Sequence, residues 1–190
     1  MEKIEDFYSL LREENQKYNL ISRKSFDRTF RNLVEESKLI YENLLPFNSL
    51  IDIGSGAGFP GLIIKLLDPE KEVVLVEPSR KKASFLEKAI KELSLNGIEV
   101  IKGDYGYAKK QLKEAGRSFD YLTCIGIRKK EKFVEKPTDF IRKGYAFITG
   151  EEEVSRLQSL KKLKDFSWKL IKVFGKEQLF LVIIGKKWEK

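Results

Sequence analysis

Apolar residues recur at helical spacing twice before any strand pattern begins. Ile4, Phe7, Tyr8, Leu11 and Tyr18 fall on one stripe, and Phe26, Phe30, Leu33, Val34, Ser37, Ile40, Tyr41 and Leu44 form a second that stops near Pro46. From Leu50 the period changes. L-I-D-I at 50–53 alternates into a buried strand, and Leu62, Ile63, Leu66 and Leu67 resume helical spacing after Pro60. Proline suits a first helical turn, where its missing N–H would be unbonded anyway. Glu72–Glu77 reads as a continuous apolar strand ending in a carboxylate. Ser79 is placed to cap a helix with Ala83, Leu86, Ala89, Ile90 and Leu93 inward, closing at Asn96-Gly97.

The alternation continues to the end of the chain. A strand over 98–101, a helix over 108–115, a strand over 119–125, a helix through Phe133 to about Pro137 and a strand over 144–150 follow in turn. A helix over 151–163 runs from acidic to basic, matching its dipole, and 168–174 with 179–185 read as a closing hairpin. Strands alternating with helices predict an α/β fold with a mostly parallel sheet and helices on both faces. Residues 1–46 form a helical extension ahead of 47–190, within one compact unit. The apolar faces of the extension must pack on the sheet or over the mouth of the site, as a structural cap or as a substrate lid.

Composition narrows the classes. At 190 residues the chain is long enough for one such domain with decoration and too short for two. The 42% hydrophobic and 35% charged content is globular, and no apolar run approaches the roughly 18 residues of a membrane span. The amphipathic, mixed-charge start lacks a signal-peptide pattern, so a cytoplasmic protein is expected; separately, a monomer is expected. Cys124 is the single cysteine and there is no histidine, which excludes an intramolecular disulfide, Cys/His metal sites and histidine acid–base chemistry. Cys124 itself reads as packing. A net charge of +8 favours a polyanionic partner such as nucleic acid, against the alternative of a solvated surface rich in both signs.

The candidate chemistry centres on L-I-D-I-G-S-G-A-G-F-P-G at 50–61. Glycines at 54, 56 and 58 leave backbone against which a ligand can lie. Phe59 stands where a dinucleotide G-x-G-x-x-G would need its third glycine, and the G-K-[ST] of a P-loop is absent. With Asp52 two places before G-x-G-x-G, the stretch resembles the first motif of class I S-adenosylmethionine-dependent methyltransferases. Glu77, about 20 positions beyond the first glycine at a strand's end, is placed to accept hydrogen bonds from both ribose hydroxyls; pairing with Arg80 or Lys81 is the structural alternative. The resemblance further implies that the loop after the third strand meets the adenine, which puts Asp104, Tyr105 and Gly106 at the cofactor with Phe59; a plain turn is the competing reading. Arg80, Lys81 and Lys82 occupy the helix end that disfavours cations, which marks either a functional basic patch or a solvated face. Arg128, Lys129 and Lys130 follow the fourth strand at the ligand-binding edge and are the other RNA-contact candidates.

Three stretches taken together carry a narrower resemblance: L-L-R-E-E-N-Q-K-Y-N-L at 10–20, I-D-I-G-S-G-A-G-F-P-G at 51–61 and R-K-K-A-S-F-L-E-K-A-I at 80–90. They look like the bacterial small-subunit ribosomal RNA guanine-N7 methyltransferases (RsmG, also called GidB). That likeness implies a Rossmann-like, seven-stranded methyltransferase sheet with an N-terminal helical extension. It also implies S-adenosylmethionine as cofactor and methylation of guanine N7 in 16S ribosomal RNA. Another RNA, a small molecule, or binding without catalysis are the alternatives. The chain departs from the family pattern at three points. Glu36-Ser37 lacks the preceding histidine, Ile125-Gly126 stands where an arginine is usual, and Thr149 stands where a lysine is usual before Gly150. Either Arg128 stands in for the arginine, or the chain is a divergent relative with another target. Guanine N7 has no proton to remove, so alignment and exclusion of water suffice without a general base.

Overall fold

The structure is a computed structural model that describes residues 2–127, 129–134, 140–164, 166–173, 175–176 and 178–185. Two helices come first, α1 (Glu2–Lys17) and α2 (Phe26–Asn43). Then β1 (Ser49–Ile53), α3 (Gly61–Leu67), β2 (Glu72–Glu77), α4 (Arg80–Glu92), β3 (Ile98–Lys102), α5 (Tyr105–Glu114) and β4 (Phe119–Ile125) alternate. The chain continues through α6 (Glu131–Val134), β5 (Ile141–Gly150) and α7 (Glu151–Ser159) to a hairpin of β6 (Ser167–Lys172) and β7 (Leu179–Gly185).

The strands form one seven-stranded sheet in the order β3-β2-β1-β4-β5-β7-β6. The first five in that order are parallel, and β7 inserts antiparallel between β5 and β6. Connections from β1 run outward to β2 and β3, and those from β4 run outward to β5. Neighbouring loops therefore diverge above β1 and β4 and open a crevice at the carboxyl ends of those strands.

Each face of the sheet has its own core. Alternate residues Leu50, Val73, Leu75 and Tyr121 point to the side covered by α3 and α4, while Ile51, Ile53, Val74 and Leu122 point to the side covered by α5 and α7. The N-terminal helices join the first of these. Phe7, Leu11, Phe30, Val34 and Ile40 are buried in it with Leu62 and Leu86, and the Phe7 ring lies 5.9 Å from Phe59 and 6.2 Å from Phe85. Each such side chain contributes about 1.5–3 kcal/mol on burial. Glu14 adds a polar tie, its carboxylate 2.8 Å from both Lys17 and Lys88, so that α1 is bonded to α4. Hydrogen bonds from those two lysines hold its carboxyl below the usual range.

Several expected boundaries move for local reasons. Helix α5 begins at Tyr105, three residues early, because the Asp104 carboxylate accepts the Tyr107 N–H at 2.9 Å and caps it there. The Asp104–Tyr105 stretch is therefore a helix start. Leu160 adopts an extended conformation that ends α7, leaving Lys161–Leu163 as a separate 3-10 turn. Pro60 sits just ahead of α3 rather than inside its first turn, and Ser79 holds the N-cap position of α4 without a side-chain bond. The ends expected at Pro137 and Phe174 fall outside the described residues.

The sheet's two edges are β3 and β6. On β3, Lys102 pairs with Glu87 at 2.8 Å and Glu99 pairs with Arg117. On β6, Lys169 and Lys172 are exposed, and Lys169 donates to Asn43 of α2 at 2.9 Å. Among the described residues no helix is long and apolar enough to cross a membrane.

Gly144 tests the β5–β7 seam. A Cβ there would lie 2.3 Å from the Ile184 carbonyl oxygen, which is backbone and has little room to yield. Gly144→Ala is expected to lower stability by about 1–3 kcal/mol through overpacking, read as a lower urea midpoint with unchanged slope.

Candidate active site

The site is built where β1 ends. Ile53 hands the chain to Gly54, Gly56 and Gly58, whose φ values are +70°, +58° and +103°, so the backbone turns three times through the left-handed region. The Gly54 and Ser55 N–H groups both donate to the Val76 carbonyl, at 2.8 and 3.2 Å, which keeps the turn over β2. At Gly56 the direction a Cβ would take is open, its nearest neighbour being the Gly54 carbonyl oxygen at 3.8 Å. That bare backbone, facing out of the crevice, is the surface a ligand can approach.

Asp52 supports the turn from beneath. It is fully buried, accepting the Gly61 N–H at 3.1 Å on one oxygen and the Thr123 hydroxyl at 3.3 Å on the other. One carboxylate thus joins β1, β4 and the start of α3. Gly61 must be glycine for this contact, because a Cβ would lie 2.9 Å from that of Asp52 and 2.5 Å from Leu75 Cδ2. Burial pushes the Asp52 carboxyl up to about 7 against the hydrogen bonds from Gly61, Ser55 and Thr123.

Glu77 closes the β2 side. Its two oxygens accept the Gly56 and Ser79 N–H groups, each at 2.8 Å. A carboxylate has about four lone-pair directions, so each oxygen retains one for a ligand hydroxyl. The Gly103 N–H donates to the Glu77 carbonyl at 3.2 Å, bringing the loop after β3 alongside. Asp104 is exposed there, while Tyr105 is half-buried with its ring 4.9 Å from that of Phe133. Gly106 is exposed in the first turn of α5. The glycine turn, Glu77 and Asp104 therefore lie along consecutive strand ends. Phe59 is different. Its side chain is buried beneath α1 and α2, 5.8 Å from the Phe30 ring, so only its backbone belongs to the turn.

The basic candidates divide. Arg80 and Lys81 are exposed in the first turn of α4 beyond β2, and Lys129 is exposed beyond β4. Because β2 and β4 both border β1, these cations flank the glycine turn. Lys82 is half-buried, and Arg128 lies outside the described residues. Lys130 faces inward, contrary to the expectation of an exposed RNA contact. Its ammonium is buried against Glu153 at 3.0 Å, Thr149 at 3.3 Å and the Ile127 carbonyl at 2.5 Å. Burial would raise the Glu153 carboxyl, but bonds from Thr149 and from the Lys130 backbone and ammonium together hold it below its ordinary range. Lys130 thereby sets a cation beside Thr149, the place where the resemblance leads one to look for lysine on β5. No sequence spacing announced that contact. Ile127 was also missed, although its Cδ1 lies where a Cβ on Gly54 would reach, at 2.5 Å. Cys124 is buried, and burial pushes its thiol up, in keeping with packing.

This strand order, with a glycine turn at the first strand and a carboxylate at the second, defines the Rossmann-like fold of the S-adenosylmethionine-dependent methyltransferases. A methyltransferase from Geobacter sulfurreducens superposes with a TM-score of 0.65 over 98% of this chain and 89% of its own, at 16% identity. M. capricolum TrmK, solved with S-adenosyl-homocysteine, gives 0.61 over 80% of this chain and 67% of its own at 13% identity. The family of rRNA small subunit methyltransferase G (GidB) matches residues 1–183, and the chain belongs to it. The Ribosomal RNA small subunit methyltransferase G of Mycoplasmopsis pulmonis is 30% identical over 95% of this chain and 82% of its own length. Its counterpart from Syntrophomonas wolfei is 33% identical over 74% of this chain, a stretch that spans 65% of that relative.

The raised Asp52 carboxyl predicts a pH effect. The folded state keeps a proton that the unfolded chain releases near pH 3.9. This contribution to stability is therefore full in acid and is lost as pH rises through about 7. Asparagine can accept the Gly61 N–H on its oxygen and donate its amide to the Thr123 hydroxyl, so it preserves both contacts without titrating. In urea titrations of cofactor-free protein, Asp52→Asn should remove a slope of up to about 1.4 kcal/mol per pH unit between roughly pH 4 and 7. Wild-type and variant curves of equal slope would show that Asp52 is ionised throughout.

Proposed function

We propose that the protein transfers a methyl group from S-adenosylmethionine to N7 of a guanine in 16S ribosomal RNA, acting on the small ribosomal subunit in the cytoplasm as a monomer. The observation that carries this reading is the conjunction of the glycine turn and Glu77 with family membership over nearly the whole chain. The Gly54–Gly58 backbone holds the cofactor's amino-acid end, and Glu77 accepts its ribose hydroxyls. Asp104, Tyr105 and Gly106 border the adenine. Asp52 and Phe59 fix the turn from within, and Arg80, Lys81 and Lys129 receive RNA phosphates. The bound cofactor supplies an electrophilic methyl on a sulfonium.

The chain's own residues then have a limited task. Guanine N7 presents a lone pair with no proton to lose, so no side chain here needs to act as a base. This agrees with a site whose buried carboxyl, Asp52, is turned away from the crevice and whose nearest thiol is sealed. What remains is alignment and exclusion of water, to which Ile127, lying on Gly54, and the Tyr105–Phe133 ring pair contribute. N7 lies in the major groove, which in regular A-form RNA is too deep and narrow for side chains, so the target guanine must be unpaired or displaced.

Two measurements test this. Calorimetry with S-adenosylhomocysteine should show Glu77→Ala weakening binding by about 1–3 kcal/mol, the scale of hydrogen bonds to a charged acceptor. Undiminished affinity would remove Glu77 from the site. Reduction and strand cleavage at N7-methylguanine, applied to 16S RNA and small subunits after incubation with enzyme and cofactor, should give one new cleavage. A protein that binds cofactor yet produces no cleavage on either substrate has a different target.

A further inference from the structure

The cleft between α1 and α2 holds a concentration of positive charge that the crevice does not use. It is an open cleft of about 600 Å³ lined by Arg12, Arg23, Lys24, Arg28 and Arg31, with Asp27 its one carboxylate among the described residues. All five cations are exposed. The Asp27 carboxylate is engaged, accepting the Tyr8 hydroxyl at 2.6 Å, and Tyr8 in turn accepts from Arg12 at 2.9 Å. Arg23 is fixed by donating to the Asn15 and Gln16 carbonyls at 3.0 and 2.9 Å. Lys24, Arg28 and Arg31 make no ion pair among the described residues. Elsewhere on these helices Lys17 pairs with Glu13 and Glu14, and Lys38 with Glu35. Charge left unpaired in one cleft, at a cost in mutual repulsion, suits an anion supplied from outside.

The cleft's chemistry indicates which anion. Guanidinium groups present planar forks of donors that match phosphate oxygens. The cleft is an open groove edged by long side chains, which suits a polymer backbone better than an enclosed small molecule. A second cationic cluster lies on the other side of the same helix end. Arg12, Asn15 and Gln16 of α1 face this groove, while Glu14 and Tyr18 from the same helix end line a second cleft with Arg80 and Lys81. A strand crossing the end of α1 passes from one cationic cluster to the next, whose Arg80 follows Ser79, the residue that donates to Glu77.

We propose that the α1–α2 groove is a second RNA-backbone site, holding phosphates of the substrate RNA away from the methylated base. The choice of RNA as the polyanion rests on the methyltransferase reading above; the groove itself does not. Arg28→Gln with Arg31→Gln, in the full chain, removes two of its charges at exposed helical positions. Binding to a 16S RNA fragment is followed by fluorescence anisotropy as salt is raised. The log–log slope should fall by about 1.4–1.8, and affinity by at least about tenfold at moderate salt. Urea midpoint and S-adenosylhomocysteine affinity should not change. KM for 16S RNA should rise with kcat retained.

Lys161→Gln with Lys164→Gln, exposed on the far side of the sheet, is the control for net charge. An unchanged slope in the groove variant, an equal loss in the control, or wild-type protein without salt-dependent RNA affinity overturns the proposal. So does loss of binding to anionic phospholipid vesicles in the groove variant with RNA binding intact, which would make the groove a membrane contact. The two readings fail separately. Wild-type protein that methylates N7 while the groove variant keeps its slope refutes the groove alone, whereas a reduced slope without any methylation supports the groove and refutes the reaction.

Discussion

A single buried carboxylate ties together the parts of this molecule that have to stay in register. Asp52 is the last inward polar residue of β1, and its two oxygens reach the first residue of α3 and a threonine on β4. Remove those bonds and strand, turn and helix lose their common anchor, while a buried acceptor set is left unsatisfied. The three left-handed glycines between Asp52 and Gly61 hold their turn because both of its ends are clamped from below, and Gly56 at its middle stays bare. The crevice is then a consequence of topology, since β1 and β4 are neighbours whose connections run in opposite directions.

The N-terminal helices depend on the same anchor. Phe59, inside the glycine turn, sends its ring into the aromatic cluster of Phe7 and Phe30. The turn therefore forms part of the core on which α1 and α2 rest, and displacement of either helix reaches the crevice through one side chain. Glu14, bonded to Lys88 on α4, is a second link between the same layers. The extension packs as structure, and it carries Lys24, Arg28 and Arg31, unpaired among the described residues, on its exposed side.

Much of this was legible in the residues. Apolar runs marked β2 and β4 to the residue, because buried strands of a parallel sheet admit little else. The glycine turn and Glu77 were legible because backbone geometry and carboxylate spacing are local properties. What escaped was set by distant partners. Lys130 looks like the third member of a basic run, and only the fold brings Glu153 and Thr149 to it, 23 and 19 residues away. The start of α5 escapes the sequence because Asp104 after Gly103 reads as a turn or a ligand contact, and only the fold shows its carboxylate accepting the Tyr107 N–H. The groove cations are spread over 12–31 and become a cluster only when α1 and α2 pack together.

The two borders of the sheet have a consequence for how the protein behaves in a crowd. An unpaired strand offers its free N–H and C=O groups to any other chain, and long flat apolar borders add strands until they precipitate. Here the outer strand at one end carries Lys102 and Glu99, each tied to a charged neighbour, and the outer strand at the other exposes Lys169 and Lys172. An incoming strand would have to strip water from those charges before its first backbone bond formed. Each border thus resists templated stacking, because pairing there would begin by dehydrating charge.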